Sequence, residues 1–70
     1  MAAPQVYIVC KGETDEGHDP EMAFSNLDGA KGWCQRTYGF TPKATGVGAW
    51  MGTENGVDEV WIRRMKVWDR

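Results

Sequence analysis

The sequence predicts a small α+β domain in which an antiparallel sheet packs against one helix, in a ββαββ-like order. Three stretches lead there: a β-branched and aromatic opening, "QVYIVCK"; a helical segment with cap residues at both ends, "SNLDGAKGWCQRTYG"; and a closing hairpin, "AWMGTENGVDEVWI", centred on Asn55 and Gly56. The 70 residues make one domain, because that length lies near the lower limit for a self-sufficient core.

In the opening stretch, Val6, Ile8 and Cys10 alternate with Tyr7 and Val9. Apolar residues on both faces point to a strand inside a sheet or covered by a partner. "GETDEGHDPE" follows as an exposed loop, and "MAF", Met22 to Phe24, reads as a short strand returning beside the first. Ser25 is the expected helix cap, with Asp28 three residues on and Gly39 at the C-terminal stop. Leu27, Ala30, Cys34 and Tyr38, flanked by Trp33, form an apolar stripe at helical spacing. Gly29 and Gly32 weaken that helix, which argues for close approach to the sheet or to a second subunit.

"FTPKATGVG" reads as a connection, with Pro42 excluding further helix. A two-residue turn at Asn55 and Gly56 then pairs Glu54 with Val57, Met51 with Val60 and Trp50 with Trp61. Continued outward, the count sets Val47 opposite Arg64 and Thr45 opposite Lys66. The last segment is a strand by its β-branched and aromatic content. Trp61, Arg63, Met65 and Val67 share one of its faces; Val60, Ile62, Arg64, Lys66 and Trp68 share the other. One face is expected on the helix, and the other exposed or buried in a dimer.

Composition narrows the function. Leu, Ile, Val and Phe make up only 11 residues, while four Trp, four Met and two Tyr supply bulk. No run approaches the roughly 18–20 apolar residues of a membrane span, and the N-terminus lacks the pattern of a secretory signal. The expectation is a soluble, cytoplasmic chain. Cys10 and Cys34 form no C-x-x-C and read as reduced structural thiols. Charge is uneven although the net value is only −2: acids crowd the segment from Glu13 to Glu21, and Arg63, Arg64, Lys66 and Arg70 crowd the C-terminus.

The order "VYIVCKGE", polar loop, "AFSNLDGAKGW" and terminal "VDEVWIRRMKVW" resembles a loose class of very short, uncharacterised bacteriophage and actinobacterial proteins. In that class a first strand leads through a hydrophobic-Phe-Ser step into a helix, and the chain ends in a charged strand. The resemblance covers most of the chain, implies a ββαββ-like fold and a phage origin, and transfers no functional residues.

The acidic segment does not meet the calcium-loop pattern, and the glycines follow neither dinucleotide nor P-loop spacing. A cysteine paired with His18 would need the acidic loop to fold onto the core and something to orient the histidine. The chain therefore reads as a non-enzyme with no cofactor and no metal site. Trp and Arg dominate interface hot spots, so Trp50, Arg63, Arg64, Lys66 and Trp68 are the candidate binding residues. The expected function is that of a phage-encoded interaction protein, a homo-oligomer (dimer) that binds and modulates a host protein. Alternatives are a sponge for a signalling cyclic nucleotide, held as an anion in an oligomer groove, and a nucleic-acid-binding regulator.

Overall fold

The computed structural model describes residues 5–13, 17–54, 56 and 58–67. The chain runs β1 (Gln5–Glu13), β2 (Asp19–Phe24), α1 (Leu27–Tyr38), β3 (Lys43–Gly46), β4 (Ala49–Glu54) and β5 (Asp58–Lys66). The strands form one five-stranded sheet in the order β2-β1-β5-β4-β3, and every neighbouring pair is antiparallel. The α+β expectation of an antiparallel sheet packed by one helix therefore holds, with one strand more than the ββαββ pattern contains.

β1 and β5 are both interior strands, which explains why each carries apolar residues on two faces. Val9 pairs with Ile62, and Lys11 with Val60. Val9, Val60 and Ile62 are fully buried together with Ala30 and Cys34 of α1; Tyr7, Phe24, Leu27, Trp33, Tyr38, Phe40 and Trp50 pack around them. Aromatic side chains supply most of that ring, and each removes about 150–250 Å² from water when buried. The aromatic contacts run in a chain from Phe24 to Trp33, Tyr38 and Phe40, with centroid separations of 6.1, 5.6 and 6.3 Å.

Several local expectations are corrected. Asn26, not Ser25, caps the helix: its backbone is extended (φ −144°, ψ 158°) and its Oδ1 accepts the Gly29 N–H at 2.7 Å. Gly39 does close the helix, at φ 85° with its N–H donated to the Gln35 carbonyl. Gly29 lies tight against Phe24 and Asn26, as close approach requires, whereas Gly32 faces only the Arg36 side chain of its own helix. The segment expected as a loop shrinks, because β1 extends to Glu13 and β2 begins at Asp19. β2 tolerates Pro20 because it is an edge strand, and its ladder slips where β1 passes from Val9 to Cys10. "FTPKATGVG" is not merely a connection, since β3 folds back on β4 through a turn at Val47 and Gly48, the latter at φ 72°.

The hairpin register is also corrected. Glu54 pairs with Asp58, so residues 55–57 connect the strands where two residues were expected, and Trp50 pairs with Ile62 while Met51 pairs with Trp61. Gly48, not Val47, meets Arg64, through the Arg64 N–H to Gly48 carbonyl bond at 2.9 Å. The physical reason is burial. A one-residue slip moves a whole strand's side chains to the opposite face. The observed register sets Trp50 on the helix side, 6.0 Å from Tyr7, and sets Gly52 directly beneath the Phe40 ring. Under the two-residue turn both aromatic contacts would be lost, and their burial outweighs the local preference of Asn-Gly.

A methyl group at position 52 would collide with the Phe40 ring. Gly52→Ala should therefore lower unfolding free energy by about 1–3 kcal/mol, the usual cost of overpacking, in urea titration followed by tryptophan fluorescence. Thr53→Ala, exposed on the same strand, should change it by less than about 0.5 kcal/mol.

Candidate functional site

Strand alternation divides the sheet into two unlike faces. Tyr7, Val9, Lys11, Phe24, Trp50, Gly52, Val60 and Ile62 lie on the helix side, as their contacts with the core and with Phe40 establish. The residues between them point the other way: Val6, Ile8 and Cys10 from β1, Ala49 and Met51 from β4, and Glu59, Trp61, Arg63 and Met65 from β5. Among the described residues no helix or strand packs on this second face. It is an apolar platform of three adjacent strands with one guanidinium near its middle.

One end of the platform carries a small polar cluster. Gly12 lets the backbone of Gly17 pass against β1, and a Cβ there would collide with the Gly17 carbonyl. His18 is thereby brought over β5, where its Nε2 lies 2.8 Å from Glu59 Oε1. The Trp61 indole N–H donates to the same Glu59 oxygen at 3.0 Å, and the His18 and Trp61 rings are 5.9 Å apart. Arg63 lies over the Trp61 ring at 4.9 Å from its centroid. His18 is thus oriented, contrary to the sequence-based expectation, and the signal for it was Glu59, a residue that carries no motif. Cys10, cross-strand from Trp61, has its thiol pKa raised by burial; Cys34 lies beyond the sheet on the helix side, where burial raises its pKa from 9.0 to about 11.

The five candidate binding residues do not form one patch. Arg63 is on the open platform. Trp50 is half-buried on the helix side against Tyr7, and Arg64 and Lys66 project to that same side, cross-strand from Tyr7 and Gln5. Trp68 lies outside the described residues. Stacking of a base would need an indole free on at least one side beside cations. The Trp61 indole already meets His18, Glu59 and Arg63, and Arg64 and Lys66 are across the sheet from it.

Charge is segregated along the strands. At one end Glu13, Asp58 and Glu54 align across β1, β5 and β4, with Asp19 and Glu59 nearby. Like charges directly opposite each other are destabilising. Lys11 relieves part of this through Nζ, 2.7 Å from Glu54 Oε1 and 5.0 Å from the centre of the Tyr38 ring. That hydrogen bond to Glu54 raises the Lys11 pKa. The other end carries Arg63, Arg64 and Lys66. Among the described residues no group of three His, Cys, Asp or Glu side chains could hold a metal ion, and no helix is long and apolar enough to cross a membrane.

No protein-family model, curated protein or solved structure matches the chain.

Two tests follow from this geometry. Glu59→Ala should release both His18 and the Trp61 N–H, costing about 1–3 kcal/mol in chemical denaturation and shifting tryptophan emission to the red; an unchanged spectrum would count against the cluster. Because the folded Cys34 pKa lies above its unfolded value, the stability it contributes is complete below pH 9.0 and declines as pH rises towards 11. Cys34→Ala should flatten that alkaline decline in melting temperature, and Cys34 should react with a thiol reagent only after unfolding.

Proposed function

We propose that this chain is a non-enzymatic interaction protein that acts by binding and modulating another protein, and that its contact surface is the open sheet face bearing Ile8, Met51, Trp61, Arg63 and Met65. The observation that carries the reading is the apolar character of a face on which, among the described residues, no helix or strand packs: His18 covers its Glu59 end, Ile8, Met51 and Trp61 are half-buried, and Met65 is exposed. Exposed contiguous apolar patches beyond a few hundred Å² are uncommon on monomers and accompany protein or membrane contact.

The mixture of residue types supports a polypeptide as the occupant. Trp, Met and Arg are enriched in protein interfaces, whereas nucleic-acid contact calls for several cations on one surface. The phage origin implied by the sequence resemblance makes a host protein, in the host cytosol, the partner this reading names.

The test is affinity capture from a bacterial lysate with the tagged wild-type chain and with Ile8→Lys. A partner recovered in stoichiometric amount with the first and lost with the second is the expected result. The reading is overturned if the wild-type chain, folded by circular dichroism, recovers none.

A further inference from the structure

We propose that one end of the sheet, formed by the β3–β4 turn at Val47 and the last residues of β5, docks the chain peripherally on an anionic lipid surface. Val47 enters the bilayer interface, and Arg64 and Lys66 meet the headgroup phosphates. This surface is separate from the open face proposed above for a protein partner, so one chain can use both.

Val47 stands at the turn between β3 and β4 and is 96% exposed, the most of any large hydrophobic residue described. The turn requires glycine at position 48, where φ is 72°, but it does not require valine beside it, and the valine adds nothing to the core. The turn is held against the end of β5 by the Arg64 N–H, which donates to the Gly48 carbonyl at 2.9 Å. The Arg64 side chain lies along the same turn: a Cβ at Gly48 would sit 3.5 Å from its Nε and from one Nη. A guanidinium group is therefore held beside a bare aliphatic tip. Lys66 follows on the same side of β5, and Val67, just past the strand, is a second exposed apolar residue. Apolar side chains beside cations at a protruding tip suit a lipid interface, where the former partition towards the acyl chains and the latter attract anionic headgroups.

Other occupants fit this end less well. A specific protein partner needs about 800 Å² from each side, more than one turn and one strand end present. A single-stranded nucleic acid needs rings on which to stack its bases. The rings on this side, Tyr7 and Trp50, are half-buried and packed on each other at 6.0 Å, and Val47 and Val67 have no π face. A fluid bilayer demands no matching shape. Nor is the acidic balance of the chain an obstacle. β5 has nine residues and is about 26 Å long, so Glu13, Glu54 and Asp58 stand about three Debye lengths from Lys66 at physiological salt. They are screened from a surface that Arg64 and Lys66 touch, and the field that remains turns the acidic end away. Asp28, in the first turn of α1, lies over β1 and β2, with β5 between it and the turn.

The test is co-sedimentation with two kinds of vesicle, phosphatidylcholine alone and phosphatidylcholine with about 30% phosphatidylglycerol, at about 100 mM salt. The wild-type chain should pellet with the second and stay in solution with the first. Arg64→Glu and Lys66→Glu should each weaken binding about 10-fold or more, because each removes an attraction and adds a repulsion. Val47→Ser, which leaves the charge unchanged, should weaken it about 3-fold or more. Arg36→Glu, the same charge change in the last turn of α1, should leave binding intact. All four positions are exposed, and circular dichroism checks the fold of each variant. Should Arg64→Glu fail to fold, Lys66→Glu carries the comparison. The proposal is overturned by a wild-type chain that pellets with neither vesicle or equally with both, by indifference to Lys66→Glu or to Val47→Ser, or by an equal loss with Arg36→Glu. Binding of a labelled single-stranded oligonucleotide that Lys66→Glu abolishes, with no vesicle binding, would assign the cations to nucleic acid and overturn it too. Capture of a lysate partner by the open face is a separate readout, so either reading can fail while the other stands.

Discussion

The register of β5 between β1 and β4 is the constraint on which the other features depend. β5 is flanked on both sides, so its residues cannot drift in register without disturbing two ladders at once. Val60 and Ile62 face the helix, which commits Glu59, Trp61, Arg63 and Met65 to the opposite side. Period-two alternation makes the two sets inseparable: burying one presents the other. The platform is therefore not an accident of a few exposed side chains. It is the second half of the pattern that forms the core.

The helix explains why only one face is filled. α1 has 12 residues and so is about 18 Å long, enough to cover part of one side of a five-stranded sheet. Its own propensity is weakened by Gly29 and Gly32, and packing against β1 and β2 holds it in place. The remainder of that side is closed by the aromatic ring from Tyr38 to Phe40 and by Trp50. A second helix for the opposite side does not exist among the described residues. Among the described residues that opposite face carries no helix, and only His18 reaches over its Glu59 end.

Electrostatics then gives that surface a direction. Acidic ends of β1, β4 and β5 converge because the antiparallel strands bring the β4–β5 hairpin to the same edge as the end of β1 and the start of β2. The cations of β5 lie at the far end of the same strand. Among the described residues the sheet thus carries carboxylates at one end and cations at the other, with Glu59 and Arg63 on either side of Trp61.

Much of this was legible before any coordinates. The strand character of "QVYIVCK", the helix with its Gly39 stop, the strand assignment of the C-terminal segment and the two-faced grouping of its residues all follow from local periodicity and turn chemistry, and each is an interaction between near neighbours in the chain. The details that failed are the ones that depend on distant partners. Asn-Gly predicts a two-residue turn, but the burial of Trp50 beside Tyr7 and of Gly52 beneath Phe40 imposes a longer connection, because tertiary packing of aromatic rings outweighs a local turn preference. β3 carries little strand propensity and exists because β4 offers it an edge. His18 had no visible partner in sequence; Glu59, 41 positions away, supplies one only when the sheet is assembled. Likewise Arg63 and Arg64 are adjacent in the sequence and equal in chemistry, and only the sheet decides that one lies on the open face and the other on the helix side, since alternate residues of a strand must point in opposite directions.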